Sequence, residues 1–182
     1  MCGSCLNKPP RFETIYAPFL YKADIKRLLI ALKFNRKLSH ARLLGNLMAE
    51  KLADHFVANR LMPDAIVPVP LHPKRQRERG YNQALELVRP LAKRYKIPIN
   101  RQLVVRKTAT AQQTKLSADE RRRNLRGAFV VNEGCRVPRH IVIFDDVVTT
   151  GATVNELAKT LKRAGAQRID VWAIARVPRP GD

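Results

Sequence analysis

IVIFDDVVTTGATV, residues 141–154, joins an apolar run to two adjacent carboxylates, two threonines, a glycine and the head of a helical pattern. The run from Ile141 to Phe144 is continuously apolar rather than alternating, and Ile169 to Ala175 repeats that character after an intervening helical stretch with Val154, Leu157, Ala158 and Leu161 on one side. Strand, helix, strand with both strands apolar on two faces predicts parallel strands covered on both sides. The fold class read from this stretch is α/β, with a mainly parallel central sheet flanked by helices. Ligands of such sheets gather outside the carboxyl ends of the strands, which here means Asp145 to Thr153.

The residues at that position have a definite chemistry. Thr149, Thr150, Gly151, Ala152 and Thr153 offer successive backbone N–H groups, three hydroxyls, a glycine for close approach and the positive end of the next helix. These are the components of a monophosphate cradle. The stretch lacks the G-K-[S/T] of an ATP-binding loop and the three glycines of a dinucleotide fingerprint, so neither of those functions is supported. Asp145 and Asp146 precede the cradle and can accept hydrogen bonds from the vicinal hydroxyls of a sugar whose phosphate sits in it. A simpler reading is that they only face a helix N-terminus, which the helix dipole also favours.

The 182 residues carry 35 Lys and Arg against 15 Asp and Glu, a formal net charge of +20. Such a surface attracts polyanions in a salt-sensitive way, and phosphates or nucleic acid are the expected partners. The basic runs at 74–79, 101–107 and 121–126 read either as solvated faces or as phosphate contacts. Length and a 45% hydrophobic content suit one core. Neither an apolar run of 18 residues nor the form of a signal peptide is found, so the expectation is a cytoplasmic protein without membrane insertion. Cys2 and Cys5 form a C-x-x-C, half of a zinc site, and Cys135 stands apart.

Along the chain, 1–10 reads as an extension, 11–21 as strand-like, and Asp24 as the N-cap of a helix carrying Ile25, Leu28, Leu29 and Leu32. A second helix is predicted over 39–60 with Leu43, Leu44, Leu47, Met48, Leu52 and Phe56 in the core. A strand over 64–70 leads into a basic loop, 72–80. The helix expected over 82–95 is either kinked or ended by Pro90. Residues 103–105 and 128–131 read as strands, 106–116 as a loop, and Ser117 as the cap of a short arginine-rich helix. Thr153 and Glu156 have the spacing of a capping box.

These residues resemble the type I phosphoribosyltransferases, whose motif is a hydrophobic strand, two acidic residues and a Thr/Gly loop, matched here from Val142 to Thr153. Val67-Pro68-Val69-Pro70-Leu71-His72-Pro73-Lys74-Arg75, then Arg79-Gly80-Tyr81-Asn82-Gln83, then Arg106-x-Thr108-x-Thr110-x-Gln112 with Arg121-x-x-Asn124-Leu125, resemble the narrower ComF/GntX family of competence-related proteins. That similarity runs from about residue 11 to 177.

The resemblance implies a type I phosphoribosyltransferase fold that binds 5-phosphoribosyl 1-diphosphate (PRPP) with Mg2+. Asp145 and Asp146 would hold the ribose hydroxyls, possessing the catalytic position and a share in binding Mg2+, and residues 149–153 the 5′-phosphate. Leu71, His72, Lys74 and Arg75 would form the pyrophosphate loop. Arg106, Lys107, Gln112 and Arg121 would lie on a mobile loop over 106–124. Relatives of this kind begin with a cysteine-rich zinc ribbon, so Cys2 and Cys5 would be its last knuckle, residues 1–10 its remnant, 11–177 the phosphoribosyltransferase-like domain and 178–182 a tail. Zn2+ is expected only where that ribbon is complete.

Two functions follow from that likeness. One is transfer of phosphoribose to an acceptor with release of pyrophosphate, in a protein of DNA uptake and natural transformation. The other is a non-catalytic role, as an uptake factor that binds single-stranded DNA through its basic surface, beside the DNA-uptake machinery, or as a PRPP sensor. Aromatic residues make up only 6% and Tyr81 alone borders a basic run, which favours backbone contact over base stacking.

Overall fold

The computed structural model describes residues 9–59 (side chains to 54), 62–107 and 125–178. In chain order its elements are β1 (Thr14–Tyr16), β2 (Phe19–Leu20), α1 (Ala23–Phe34), α2 (Leu38–Asn59), β3 (Ala65–Pro68), α3 (Pro73–Arg79), α4 (Gln83–Tyr95), β4 (Val104–Arg106), β5 (Phe129–Val131), β6 (His140–Val148), α5 (Ala152–Arg163) and β7 (Arg168–Arg176). The expected α/β class, with a mainly parallel central sheet flanked by helices, is what they form.

The sheet has the order β1-β7-β6-β3, every pair parallel, with β2 continuing along β7 beyond β1. Ala17 and Pro18 separate β1 from β2, and an edge position is where a residue without an N–H is tolerated. On the opposite edge Ile66 bridges Ile99, Ile66 N–H donating to Pro98 O and Asn100 N–H to Ile66 O, each at 2.9 Å. β4 and β5 form a separate antiparallel pair.

Two cores lie on the two faces of this sheet, as continuous apolar strands require. Val142, Phe144, Trp172 and Ile174 pack with Leu29 and Leu32 of α1, Leu44, Met48 and Leu52 of α2, and Leu87, Val88 and Leu91 of α4. Ile141, Ile143, Ile169, Val171 and Ala173 pack with Val154, Leu157 and Leu161 of α5 and with Leu103, Val104 and Phe129. Among the described residues, no helix is long and apolar enough to cross a membrane.

Several local expectations are corrected. Asp24 is not the N-cap of α1: Lys22 is, and Asp24 sits in the first turn, where its charge suits the dipole and pairs with Arg27. Leu43 and Leu47 are 47% and 37% exposed, because the stripe that α2 buries is the narrower one through Ala41, Leu44, Met48 and Leu52. Phe56 lies outside the described side chains, and the cap at Ser117 outside the described residues. The segment 72–80 is not a loop. His72 Nδ1 accepts from Lys74 N–H, Pro73 opens the helix, and Gly80 at φ 83° closes it.

Pro90 does not end α4, which runs through it to Tyr95. Asn82 caps its start, accepting from Ala84 N–H at 2.9 Å. α2 meets the proline turn with Gly45: a Cβ there would overlap the Leu87 carbonyl oxygen and lie 2.9 Å from Pro90 Cγ. Two helix backbones thus touch where one lacks a side chain.

At the amino-terminal end of the strands, Asp170 of β7 is nearly buried and fully engaged. Thr14 Oγ1 donates to its Oδ1 at 2.7 Å, Arg168 Nε donates to Oδ2 at 2.8 Å, and His140 Nε2 lies 2.7 Å from Oδ2. Burial by itself would raise this carboxyl, but the bonds from His140, Arg168 and Thr14 outweigh it and hold the group well below the usual carboxylate range. The cluster joins β1, β6 and β7.

Two stability measurements follow. Gly45→Ala should lower stability by roughly 1–3 kcal/mol in denaturant unfolding, since overpacking against a backbone oxygen outweighs the helix propensity gained. Asp170→Asn should cost roughly 1–3 kcal/mol at neutral pH, below the range for a fully buried pair because Arg168 is partly exposed. A carboxyl depressed in the folded state stabilises above its unfolded pKa, so the gap between wild type and Asp170→Asn should shrink as pH falls below about 4. A gap independent of pH from 7 to 2 would contradict the assignment.

Candidate functional site

β6 is paired with β3 only as far as Phe144↔Pro68, and with β7 as far as Val148↔Arg176. The strand is therefore longer than the sequence suggested and contains both carboxylates. The last β3 rung is Val69 N–H to Phe144 O at 2.8 Å. In a continued parallel ladder Asp146 N–H would donate to Val69 O. Instead Asn82 Nδ2 takes Val69 O at 3.0 Å, Asp146 N–H turns to Asp145 Oδ1 at 2.8 Å, and Val147 N–H turns to Asp146 Oδ1 at 2.9 Å. The aspartates satisfy the backbone that β3 abandons.

Successive strand residues face opposite sides of a sheet. Phe144, and Asp146 two residues on, look toward α1, where Lys33 Nζ lies 2.5 Å from Asp146 Oδ2. Both side chains are largely buried, 18% exposed for Lys33 and 6% for Asp146. Burial pulls the Lys33 ammonium down, but the charge and hydrogen bond of Asp146 outweigh it and leave the group above the ordinary lysine value. Asp145 is in a different state. Burial pushes its carboxyl well above the usual range, the neighbouring Asp146 charge pushes the same way, and Lys33 with the Asp146 N–H pulls back.

Arg106, in β4, stacks its guanidinium over Phe129 with 5.5 Å to the ring centroid. It is held below its usual value by burial and then by the charge of Arg75, with Asp145 opposing. The fold therefore gathers Asp145, Arg75 and Arg106 from three elements distant in sequence, and Lys33 beside Asp146 from a fourth.

The turn between β6 and α5 keeps Thr149 and Thr150 exposed, with 151–153 half-buried. Gly151 caps α5 at φ 75°, a conformation that disfavours any side chain, although a Cβ there would meet nothing nearer than Val154 Cγ2 at 4.0 Å. Thr150 Oγ1 accepts from Ala152 N–H at 3.4 Å. The capping box expected of Thr153 and Glu156 does not form: the helix begins earlier, at Ala152, and Glu156 Oε1 accepts from Gly127 N–H at 2.9 Å. The threonine hydroxyl is thereby not used as a cap, and Glu156 ties the segment before β5 to α5.

Of the other expected site residues, Leu71 and His72 are half-buried at the β3 end, with His72 used as the α3 cap, and Lys74 is exposed on α3. Lys107 is exposed, its N–H donating to Ala128 O at 2.9 Å. Gln112, Arg121, Cys2 and Cys5 lie outside the described residues. Cys135 is a free, half-buried thiol. Among the described residues, no three His, Cys, Asp or Glu side chains converge as a metal site. Two carboxylates, one already paired with Lys33, suit a cation that brings most of its oxygen ligands with the substrate.

Lys33 was missed in the sequence. Its signal was its phase: with Ile25 and Leu29 it completes an i, i+4, i+8 row on the buried face of α1, an unusual place for a lysine.

No family profile matches the chain. Among solved structures, a hypoxanthine phosphoribosyltransferase of Trypanosoma cruzi aligns with 78% of this chain and 76% of its own at 14% identity and a TM-score of 0.45. A purine phosphoribosyltransferase of Pyrococcus horikoshii aligns with 76% and 83% at 20% identity and a TM-score of 0.41. Among curated sequences, competence protein ComFC of Streptococcus pneumoniae is 26% identical over 88% of this chain and 67% of its own. Competence protein F of Haemophilus influenzae is 36% identical over 96% of this chain and 78% of its own. The DNA utilization protein YhgH of Escherichia coli K12 is 40% identical over 96% and 77%. At that identity and coverage, the chain belongs to the family of competence protein F and the DNA utilization protein YhgH.

Proposed function

We propose that the carboxyl end of the sheet binds a phosphorylated ribose, PRPP being the ligand that fits best, in a protein that handles DNA taken up by the cell. The observation that carries this reading is the convergence at one strand end of an acidic pair, a Thr/Gly turn at a helix N-terminus, and two arginines from other elements. A sugar phosphate needs hydroxyl acceptors and anion donors at fixed separation, and few other ligands need both.

In this reading Asp146, paired with Lys33, and Asp145 accept hydrogen bonds from the ribose hydroxyls. The backbone N–H groups and hydroxyls of 149–153 hold the 5′-phosphate, aided by the positive end of α5. Arg75 and Arg106 face the pyrophosphate, where negative charge grows as the C1–O bond breaks. Mg2+ brought with PRPP would neutralise pyrophosphate charge, with Asp145 as the carboxylate open to it. A nitrogen nucleophile would take C1, and pyrophosphate would leave with the bonding electron pair. Where no acceptor is used, the same site serves as a PRPP sensor.

The test is calorimetric titration of PRPP with Mg2+ into the full chain. Wild type should bind, and Asp145→Ala and Asp146→Ala should each weaken binding roughly 10- to 100-fold, the worth of one charged hydrogen-bond acceptor. Absence of binding by wild type would remove the assignment. Pyrophosphate release with any nucleobase would make the chain an enzyme, and binding without release would make it a sensor.

A second role rests on the +20 charge and on α3, which carries Lys74, Arg75, Arg77 and Arg79 against Glu78 alone, directly after β3. Single-stranded DNA would be held there through its phosphates. Four such contacts give a slope of about −2.8 in log K against log salt. Anisotropy of a labelled oligothymidylate should then show a roughly 50-fold loss of affinity between 50 and 200 mM salt. A salt-independent affinity would exclude phosphate contact.

A further inference from the structure

The Lys33–Asp146 ion pair asks for a reason. A basic residue in the last turn of a helix normally serves the dipole from the surface, with its amine in water. Lys33 instead sends its ammonium into a largely buried position against a carboxylate 113 residues away in sequence, 2.5 Å from Oδ2. Removing two charges from water is costly, so a buried pair of this kind is weak as a stabilising device.

Its placement is also enforced from several sides. Leu29 and Leu32 are fully buried and set the phase of α1. Tyr81 OH donates to Leu32 O, Arg36 Nη2 donates to Glu78 O at 3.4 Å, and the Arg79 guanidinium lies 6.0 Å from the Phe34 ring centroid. The residues on both sides of Lys33 are thus clamped to α3 and to the segment that follows it, the same basic stretch that leads out of the site.

We propose that Lys33 is a positioning residue of the sugar-phosphate site: the resident countercharge that fixes Asp146 as a hydroxyl acceptor and keeps divalent cations off that carboxylate. This rests on the reading of the site given above. With Lys33 in place, Asp146 Oδ1 is turned to Val147 N–H and Oδ2 to the ammonium, so a cation entering with its ligand meets a protein charge already standing at Asp146. The ribose is then gripped by an acceptor already oriented, and the bare protein does not trap metal in its acidic pair. Without Lys33, Asp146 would lose the ammonium that stands against its Oδ2, and a divalent ion would be the natural replacement at that carboxylate.

The full chain and its Lys33→Met variant, which keeps the stem and removes the charge, are titrated with two probes. Ribose 5-phosphate is measured by calorimetry in metal-free buffer, and Mn2+ alone by the loss of its free electron paramagnetic resonance signal. The expected result is opposite movement: ribose 5-phosphate at least tenfold weaker, Mn2+ at least tenfold tighter. A merely structural lysine would weaken both or neither, and either outcome overturns the proposal. Lys33→Arg, which restores the charge, should return Mn2+ binding toward the wild-type value. Its failure to do so while remaining folded by circular dichroism would count against a countercharge role. Should wild type bind no ribose 5-phosphate, the sugar-phosphate reading fails, while the Mn2+ arm still decides whether Lys33 shields Asp146.

Discussion

β3 leaves β6 at Phe144, and the rest of the site is arranged around that departure. A parallel strand in the middle of a sheet has its backbone groups taken on both sides, and side chains near it are pressed into one core or the other. Once Val69 turns away, the N–H groups of Asp146 and Val147 need acceptors, and the side chains of Asp145 and Asp146 supply them. Asn82 completes the exchange by taking Val69 O while capping α4. One side chain thereby closes the β3 edge and starts the next helix, which holds the exit of the basic segment in place.

The consequence is a carboxylate pair that is not symmetric. Asp146 shares a face with Phe144 and is met by Lys33, whereas Asp145 lies in the field of the Arg106 guanidinium. In a chain with so large an excess of positive charge, acidic residues are scarce enough that each buried one has a specific partner. Asp170 shows the alternative at the other end of the sheet, where Thr14, Arg168 and His140 occupy the carboxylate fully and leave a tie between strands rather than an open acceptor. The contrast marks which end of the sheet is free to bind.

Much of the fold was legible because it rests on periodicity. The continuous apolar runs at 141–144 and 169–175 announced parallel strands, and the helical stripes of α1 and α5 were read with the right phase. Boundaries failed where local signals competed with tertiary contacts. The capping box of Thr153 and Glu156 was available by spacing, yet Glu156 was drawn to Gly127 N–H and Gly151 took the cap position through its positive φ. Leu43 and Leu47 had helical spacing but fell on the rim of α2, since a helix covered on one side buries a narrow stripe. Pro90 stays inside α4, and Gly45 lets α2 pack closely on the turn that holds it.

From its own residues the chain determined a doubly covered parallel sheet, a Thr/Gly turn after two carboxylates at the end of its central strand, and a surface that draws anions. These depend on short-range order: strand character, helix phase and turn chemistry are carried by neighbours in sequence. Which cations meet those carboxylates was decided by tertiary structure alone. Lys33, Arg75 and Arg106 are three among 35 basic residues, and nothing local separates them from the rest. Only packing α1 on one face of the sheet and the β4–β5 pair on the other brings Lys33 against Asp146 and Arg106 into the field of Asp145, because Coulomb energy depends on distance through space and on burial, neither of which is written along the chain.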